Sequence, residues 1–394
     1  MSDVQIENKN KEPKKTFPTF IFNRVEFSGS LGDLGALLPI AIGMIVLNGL
    51  NATNVMVTVG LFYILAGLYF KVPVPVQPMK VIGAYAIAVG LTPTQIISAS
   101  LWMGLCVLFL STTGLIHIIA KYTPKSTVRG VQLGVGVVLM IKGLKFMINL
   151  DPNLVVQSVG PVNTGIILGI VGMVVTLILL ENRKIPAAVL VVLGGILLGL
   201  FIGKPLKLEE LKIGLHIPRF FPYGIPSWSD MIWVIPVLVL PQIPMTIGNA
   251  ILSNTDVMHE YFGERAHRAS YRSVANSQGI ADIISFMWGG IPMCHGAGGL
   301  AAMYRFGARS AGANFMIGGI FVLLGLVFGQ SALLILNLLP LSILGVLLVF
   351  AGAQLALMIQ DLTERKGLFV ALVMLCISLT TNLAAAFICG IIIA

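Results

Sequence analysis

Two short stretches decide how this chain folds: Val72-Pro-Val-Pro-Val-Gln-Pro-Met-Lys80 and Ile291-Pro-Met-Cys-His-Gly-Ala-Gly-Gly299. Each opens a short apolar segment, 76–91 in one case and 292–304 in the other. Proline suits the first turn of a helix, because the N–H it lacks would have no intrahelical acceptor there. Pro75, Pro78 and Pro292 therefore mark helix starts, and Gly296, Gly298 and Gly299 leave the backbone open to close approach. The first turn of a helix carries unpaired N–H groups and the positive end of the macrodipole. A helix that begins part-way through an apolar layer thus offers an anion site without any fixed cation. Two such starts pointing at each other would enclose a small, compact anion. Kinks in ordinary spanning helices are the bland alternative, and recurrence at matching positions weighs against it.

The rest of the chain supplies the apolar layer. Of 394 residues, 57% are hydrophobic and 10% charged, against about a quarter charged in soluble domains. The mean hydropathy is +0.94. Runs such as 164–180, 185–202 and 333–351 match the roughly 17–25 residues that cross a bilayer core. The chain is a polytopic membrane protein. Its net charge of +9 is distributed as orientation-setting loop charge rather than as a nucleic-acid surface. Cys106, Cys294, Cys376 and Cys389 all sit in apolar runs without a CxxC pair, which argues against a disulfide framework or a structural zinc site. Residues 1–23, with Lys9, Lys11, Lys14 and Lys15, lack the apolar core of a signal peptide and read as a cytoplasmic tail.

Hydropathy gives fourteen segments: 26–48, 54–70, 76–91, 94–119, 130–149, 164–180, 185–203, 230–252, 272–288, 292–304, 311–328, 333–358, 367–379 and 382–394. The last two are separated only by a Thr-Thr-Asn break at 380–382 and are alternatively one helix. A cytoplasmic N-terminus places Lys121, Lys125, Arg129, Arg183, Lys184, Arg305, Arg309, Arg365 and Lys366 inside. The connection 204–229, with Lys204, Lys207, Lys212 and Arg219, is left outside. It divides the chain into a first repeat, 24–203, and a second, 230–394. Seven segments per half make the second half run inverted, a common plan for alternating-access carriers. Each half also begins with a punctuated span: Glu26 to Gly35 followed by Pro39, and Pro241-Gln-Ile-Pro244 with Gly248-Asn249. The sequence thus predicts an all-α polytopic fold of two inverted seven-helix repeats, with a short half-helix in the third segment of each. Gly/Pro-interrupted short segments at matching positions point to a binding site at the bilayer midplane.

Polar residues within spans are the candidate working groups. Asp33 lies nine residues beyond Arg24, roughly 13 Å into the bilayer at the rise of an α-helix. It either carries a coupled proton or holds its span by hydrogen bonds. Glu26, nearer the interface, reads as structural. Lys80 either supplies positive charge to the anion or pairs with Asp282, and the pairing is slightly favoured. His295, at the start of the second half-helix, either donates to an oxyanion, carries a proton or is a satisfied structural group. Ser28, Gln77, Gln242 and Asn249 offer neutral donors, which suit an anion that must be released again. Lys142 and Lys145 are expected to snorkel to the outer interface.

The pieces Gly32-Asp33-Leu34-Gly35, Pro75-Val-Gln-Pro-Met-Lys80, Pro241-Gln-Ile-Pro244 with Gly248-Asn249-Ala250, and Cys294 to Leu300 running on to Tyr304-Arg-Phe-Gly307 occur in order. Together they resemble the molybdate transporter family related to the sulfate permeases, over about residues 24–360. The resemblance implies core and gate domains and substrate binding between the third and tenth segments. Carried onto this chain, the contacts are Ser28, Gln77, Met79, Lys80, Gln242, Asn249, Cys294, His295, Gly296 and Ala297. Asp33 and His295 are the proton-coupling candidates. Gln242 stands where a coupling carboxylate would otherwise be sought, so that role is not carried over. The sequence ends directly after its last segment, so the cytoplasmic regulatory domain of many sulfate permeases is expected to be missing, which fits the molybdate branch.

The function expected is secondary active import of molybdate, with tungstate as a related substrate and protons as the coupling ion. A sulfate transporter and an oxyanion channel are the alternatives. No HExxH, GxSxG or paired catalytic carboxylates point to an enzyme, and no motif asks for a cofactor or metal. The expected setting is the inner or plasma membrane lipid bilayer, with a homodimer left open.

Overall fold

The computed structural model describes residues 19–116, 118, 122, 124–180, 186–204, 211, 213–329 and 331–394. Most of the tail assigned to 1–23, and Lys121, Arg183, Lys184, Lys207 and Lys212, lie outside these residues. The order begins α1 (Arg24–Ser30), α2 (Leu34–Val46), α3 (Ala52–Phe70), β1 (Gln77–Pro78), α4 (Lys80–Val89), α5 (Pro93–Thr113) and α6 (Lys125–Ile148). A small hairpin, β2 (Ser158–Val159) with β3 (Val162–Asn163), precedes α7 (Thr164–Leu179) and α8 (Ala187–Ile202). Then follow a continuous helical stretch α9 (Trp228–Ala266), α10 (Tyr271–Trp288), β4 (Met293–Cys294), α11 (Ala297–Phe306) and α12 (Gly312–Phe328). The chain closes with α13 (Ser331–Leu336), α14 (Leu341–Ala356), α15 (Arg365–Thr380) and α16 (Leu383–Ile393). Among the described residues five helices are long and apolar enough to cross a membrane, or six if the bent α1–α2 pair counts as one span.

The helix ends follow local chemistry. Thr92 and Gln95 form a reciprocal capping box with Pro93 in the first turn of α5, and Ser270 with Ser273 does the same for α10. Asn382 caps α16 by accepting from the Ala385 N–H, which separates α15 from α16. Residues 333–358 are not one span: Pro340 disfavours helix at the residue before it, and the chain breaks into α13 and α14 there. The expected interruption around Pro241 and Pro244 is also corrected. α9 runs through both prolines, with two π-helical stretches, Ile235–Val239 and Thr246–Ser253, within it. Such wider turns inside α-helices absorb local mismatch and occur often at functional sites.

Helices from the two halves of the chain touch through glycines. A Cβ on Gly60 of α3 would lie 2.6 Å from the Gly318 carbonyl of α12, and one on Gly318 equally close to the Gly60 carbonyl. The same reciprocal contact joins Gly104 of α5 to Gly279 of α10, at 2.9 and 3.0 Å. It recurs twice between α6 and α14, at Gly136 with Gly352 and Gly143 with Gly345, each at 2.5 Å. In an apolar solvent the packing of backbones at small residues is a main source of helix association. Outward faces are correspondingly apolar: Ile170, Leu177 and Ile178 of α7 and Leu197 and Phe201 of α8 are exposed.

In the middle of this bundle the chain leaves helical form twice. Lys71 ends α3 in the left-handed conformation, φ 59°, and residues 72–79 run extended and buried to α4. Residues 290–296 do the same ahead of α11. The two runs meet as antiparallel β1 and β4, with Gln77 opposite Cys294 and Pro78 opposite Met293. Non-helical backbone at this depth is tolerated only when protein groups satisfy it, and here they do. Asn314 accepts from the Val74 N–H at 2.9 Å and donates to the Val74 carbonyl at 2.7 Å. The Met79 N–H donates to the Pro292 carbonyl at 2.8 Å. Ser285 donates to the Ile291 carbonyl at 2.8 Å, and Asp282 accepts from the Met293 N–H at 2.7 Å.

Candidate oxyanion site between two half-helices

α4 and α11 each have 10 residues, about 15 Å of helix, and each starts directly after the paired strands. Neither receives a side-chain cap from its own first residue, Met79 or Gly296. Their exposed first-turn N–H groups are nevertheless treated differently. At α4 the side chain of Gln242, reaching over from α9, accepts from the N–H groups of Val81 at 3.0 Å and Ile82 at 3.4 Å. Its own amide donates to Thr246 Oγ1 at 2.9 Å. Gln242, expected as a donor to the anion, instead places a carbonyl oxygen where an oxyanion oxygen would bind. An anion reaching the start of α4 has to displace it.

At α11 the N–H groups of Gly299 and Leu300 turn back to the Gly296 carbonyl. Those of Ala297 and Gly298 have no acceptor among the described residues. Ala297 is half-buried and Gly298 exposed, so this helix start is open. Asn249 stands beside it, with Nδ2 3.5 Å from the place a Cβ on Gly296 would take. Asn249 and Gly248 also line a cavity of about 300 Å³ between α6 and α9, whose wall includes Lys125, Arg129 and Gln132. Arg129 also grips Asp361 with two hydrogen bonds, at 2.8 and 2.5 Å.

Asp33 is the hub behind the strands. It is 1% exposed and accepts from the Tyr63 hydroxyl at 2.6 Å and the Val76 N–H at 2.8 Å on Oδ2. Its Oδ1 accepts from Gln77 Nε2 at 2.5 Å. Gln77, also 1% exposed, leaves its Oε1 without a hydrogen-bond partner among the described residues. That oxygen points at Gly296, where a Cβ would collide with it. His295 is fully engaged. Its Nδ1–H donates to the Pro75 carbonyl at 2.8 Å and its Nε2 accepts from Ser277 at 3.0 Å. The ring stacks on Phe62 with centroids 4.8 Å apart and stands edge-on to Phe70. Through the Pro75 carbonyl, His295 ties the two extended runs together.

The favoured Lys80–Asp282 pair does not form. Asp282 is fully buried, and its Oδ2 has no hydrogen-bond partner among the described residues. Lys80, half-buried at the first position of α4, has no ion pair among the described residues. The structure thus brings Gln77, Met79, Lys80, Gln242, Asn249, Cys294, His295, Gly296 and Ala297 around the strand pair. Ser28 lies on α1, which packs against α11 and α12. Tyr63, Asn314 and Gln132 were not singled out from sequence. Each is a polar group within an apolar helix, the signal that should have marked them.

Known proteins place this arrangement. The fold matches the transmembrane domain of a cyanobacterial bicarbonate transporter, BicA, at a TM-score of 0.66 and 15% identity, covering 94% of this chain and 98% of that one. It also matches the murine solute carrier 26 family member A9 anion transporter in its inward-facing state, at a TM-score of 0.67 and 15% identity, covering 97% of this chain and 69% of that one. By sequence the chain is 33% identical to molybdate transporter 2 of Arabidopsis thaliana, over 93% of this chain and 86% of the relative. It is 30% identical to molybdate transporter 1 of the same plant, over 99% and 94%. The family model described as "Molybdate transporter of MFS superfamily" matches residues 25–139 and 235–355. Those two blocks carry α1 to α5 with the first part of α6, and most of α9 through to α14, and with them both half-helices and the strand pair between them, so the chain belongs to the molybdate transporter family.

Proposed function

We propose that this protein is a secondary transporter that imports molybdate, and tungstate as a close analogue, across the cell membrane in company with protons. The observation that carries the proposal is the open start of α11, where the Ala297 and Gly298 N–H groups lack acceptors beside Asn249. Two N–H groups at a helix start, with a neutral amide beside them, suit an anion that has to be released. Lys80 adds a cation at the facing helix start. The names of the relatives supply the identity of the anion.

The proposed frame is two inverted repeats of seven segments, 24–203 and 230–394, joined by 204–229, with the N-terminus in the cytoplasm. Three features support it. The strand pair is antiparallel and joins the third segment of one half to the third of the other. The α6–α14 contact joins the two fifth segments through four glycines. The α3–α12 contact pairs a second segment with a fourth, and α5–α10 pairs a fourth with a second, as exchange of the halves requires.

Import needs a driving ion. Moving a dianion into a cell with a negative interior costs about 5 kcal/mol per 100 mV. Purified protein in liposomes, with the lumen made alkaline, is expected to accumulate labelled molybdate above equilibrium. Sulfate is expected to compete less well. Accumulation that ignores the pH gradient, or follows sodium instead, would overturn the coupling. Stronger accumulation of sulfate would overturn the choice of anion.

A further inference from the structure

Gln77 stands between Asp33 and the open start of α11. An ionised Asp33 can only accept hydrogen bonds, so it fixes the Gln77 amide with Nε2 towards itself, at 2.5 Å. The amide oxygen is thereby turned towards Gly296 and the open start of α11, buried and without a donor. An acceptor in that position opposes an anion. Both acceptor directions of Asp33 Oδ2 are already taken by Tyr63 and Val76. A proton arriving at Asp33 is therefore placed on Oδ1, where it meets the N–H of Gln77 donor to donor.

We propose that protonation of Asp33 rotates the Gln77 amide by half a turn. The new Asp33 O–H then donates to Gln77 Oε1, and Nε2 turns towards Gly296 to donate to the bound oxyanion. In the empty, ionised state Oε1 has no donor. In the protonated state without anion, Nε2 has no acceptor. Only the state holding both proton and anion satisfies every polar atom of the pair, and buried groups left unpaired are the costly ones. Binding of each therefore strengthens binding of the other, and reciprocally so.

The other titratable groups around Asp33 do not perform this exchange. Tyr63 from α3 donates to it, Lys80 from α4 contributes a cation, and Cys294 lies in β4 opposite Gln77 with its Sγ directed to the Pro78 carbonyl. His295 has both nitrogens engaged. One competing path exists: a proton on Oδ2 could turn the Tyr63 hydroxyl to the Val76 carbonyl, 3.1 Å away, leaving Gln77 unmoved.

The inference rests on the oxyanion site proposed above, and calorimetry of molybdate binding to the purified full-length protein separates the two. Across pH and in buffers of different ionisation heat, wild-type protein is expected to take up about one proton per anion. Affinity should then fall by about tenfold per pH unit on the alkaline side. Asp33→Asn keeps a permanent donor towards Gln77, so its affinity is expected to be independent of pH with no linked proton. Gln77→Met removes the donor and is expected to bind weakly at every pH. Linked proton uptake that survives in Asp33→Asn, or in Gln77→Met, overturns the inference while leaving the site standing. No molybdate binding by wild type overturns both. Infrared difference spectra of wild type, with isotope-labelled glutamine, give a readout independent of how the variants fold. Molybdate is expected to produce a protonated-carboxyl band together with a shifted Gln77 amide band. A carboxyl band with an unshifted amide supports the Tyr63 path and refutes the rotation.

Discussion

Gly296→Val is expected to abolish oxyanion binding, by at least about a hundredfold, or ~2.7 kcal/mol, while the protein stays folded in the membrane. The backbone of Gly296 sits at φ −74° and ψ 128°, which any residue adopts, so the effect is one of space rather than of strain. A Cβ there collides with Gln77 Oε1 and comes within 3.5 Å of Asn249 Nδ2. The two further methyl groups of valine would fill the mouth of the α11 start. Gly319→Ala on α12 is the control, since a Cβ at Gly319 meets nothing within 4 Å. Calorimetry with molybdate, alongside gel filtration in detergent, checks the outcome. Wild-type affinity in Gly296→Val would show that this turn is only a connector.

Asp33→Ala is expected to cost stability as well as transport. It removes the acceptor for the Val76 N–H and Gln77 Nε2, and one of the two acceptors of the Tyr63 hydroxyl. Each buried donor left alone costs about 1–3 kcal/mol, so a loss on the order of 3 kcal/mol is expected. The run 72–79 would also be untied from α2, and the strand pair with it. A clear drop in melting temperature in detergent, with no uptake in liposomes, is the expected result. A variant that melts with the wild type would remove Asp33 from the role of hub. Asp33→Asn, which keeps the shape and one acceptor oxygen, should fall between the two in stability.

The two breaks were legible in the sequence because proline acts locally, but the helix starts were misplaced: α4 begins at Lys80 and α11 at Ala297, after the prolines rather than at them. Pro75, Pro78 and Pro292 constrain their own backbone, and the strand pair they bracket is found between Gln77 and Cys294. The interruption expected between Glu26 and Gly35 is present as a bend at 31–33, where α1 and α2 meet at 47°, while the helix runs on through Pro39. Partner choice was not legible. Nothing local announces that Gln242 caps α4 across the bundle, or that Asp282 binds a strand amide rather than Lys80. Proline also misled within α9. At Pro241 and Pro244 the helix continues, because π-helical turns on either side absorb the missing donors. The middle of α9 packs against α4 and α6, contacts that no single segment encodes.

The most direct test of the central claim is where molybdenum sits in a structure of the protein with molybdate bound, found from its anomalous scattering. The expected position is within hydrogen-bond reach of the Ala297 and Gly298 N–H groups, about 3 Å from donor to oxygen, with Gln77, Asn249 and Lys80 around it. Molybdenum more than about 10 Å from the starts of both α4 and α11, beyond any hydrogen-bond contact, would contradict it.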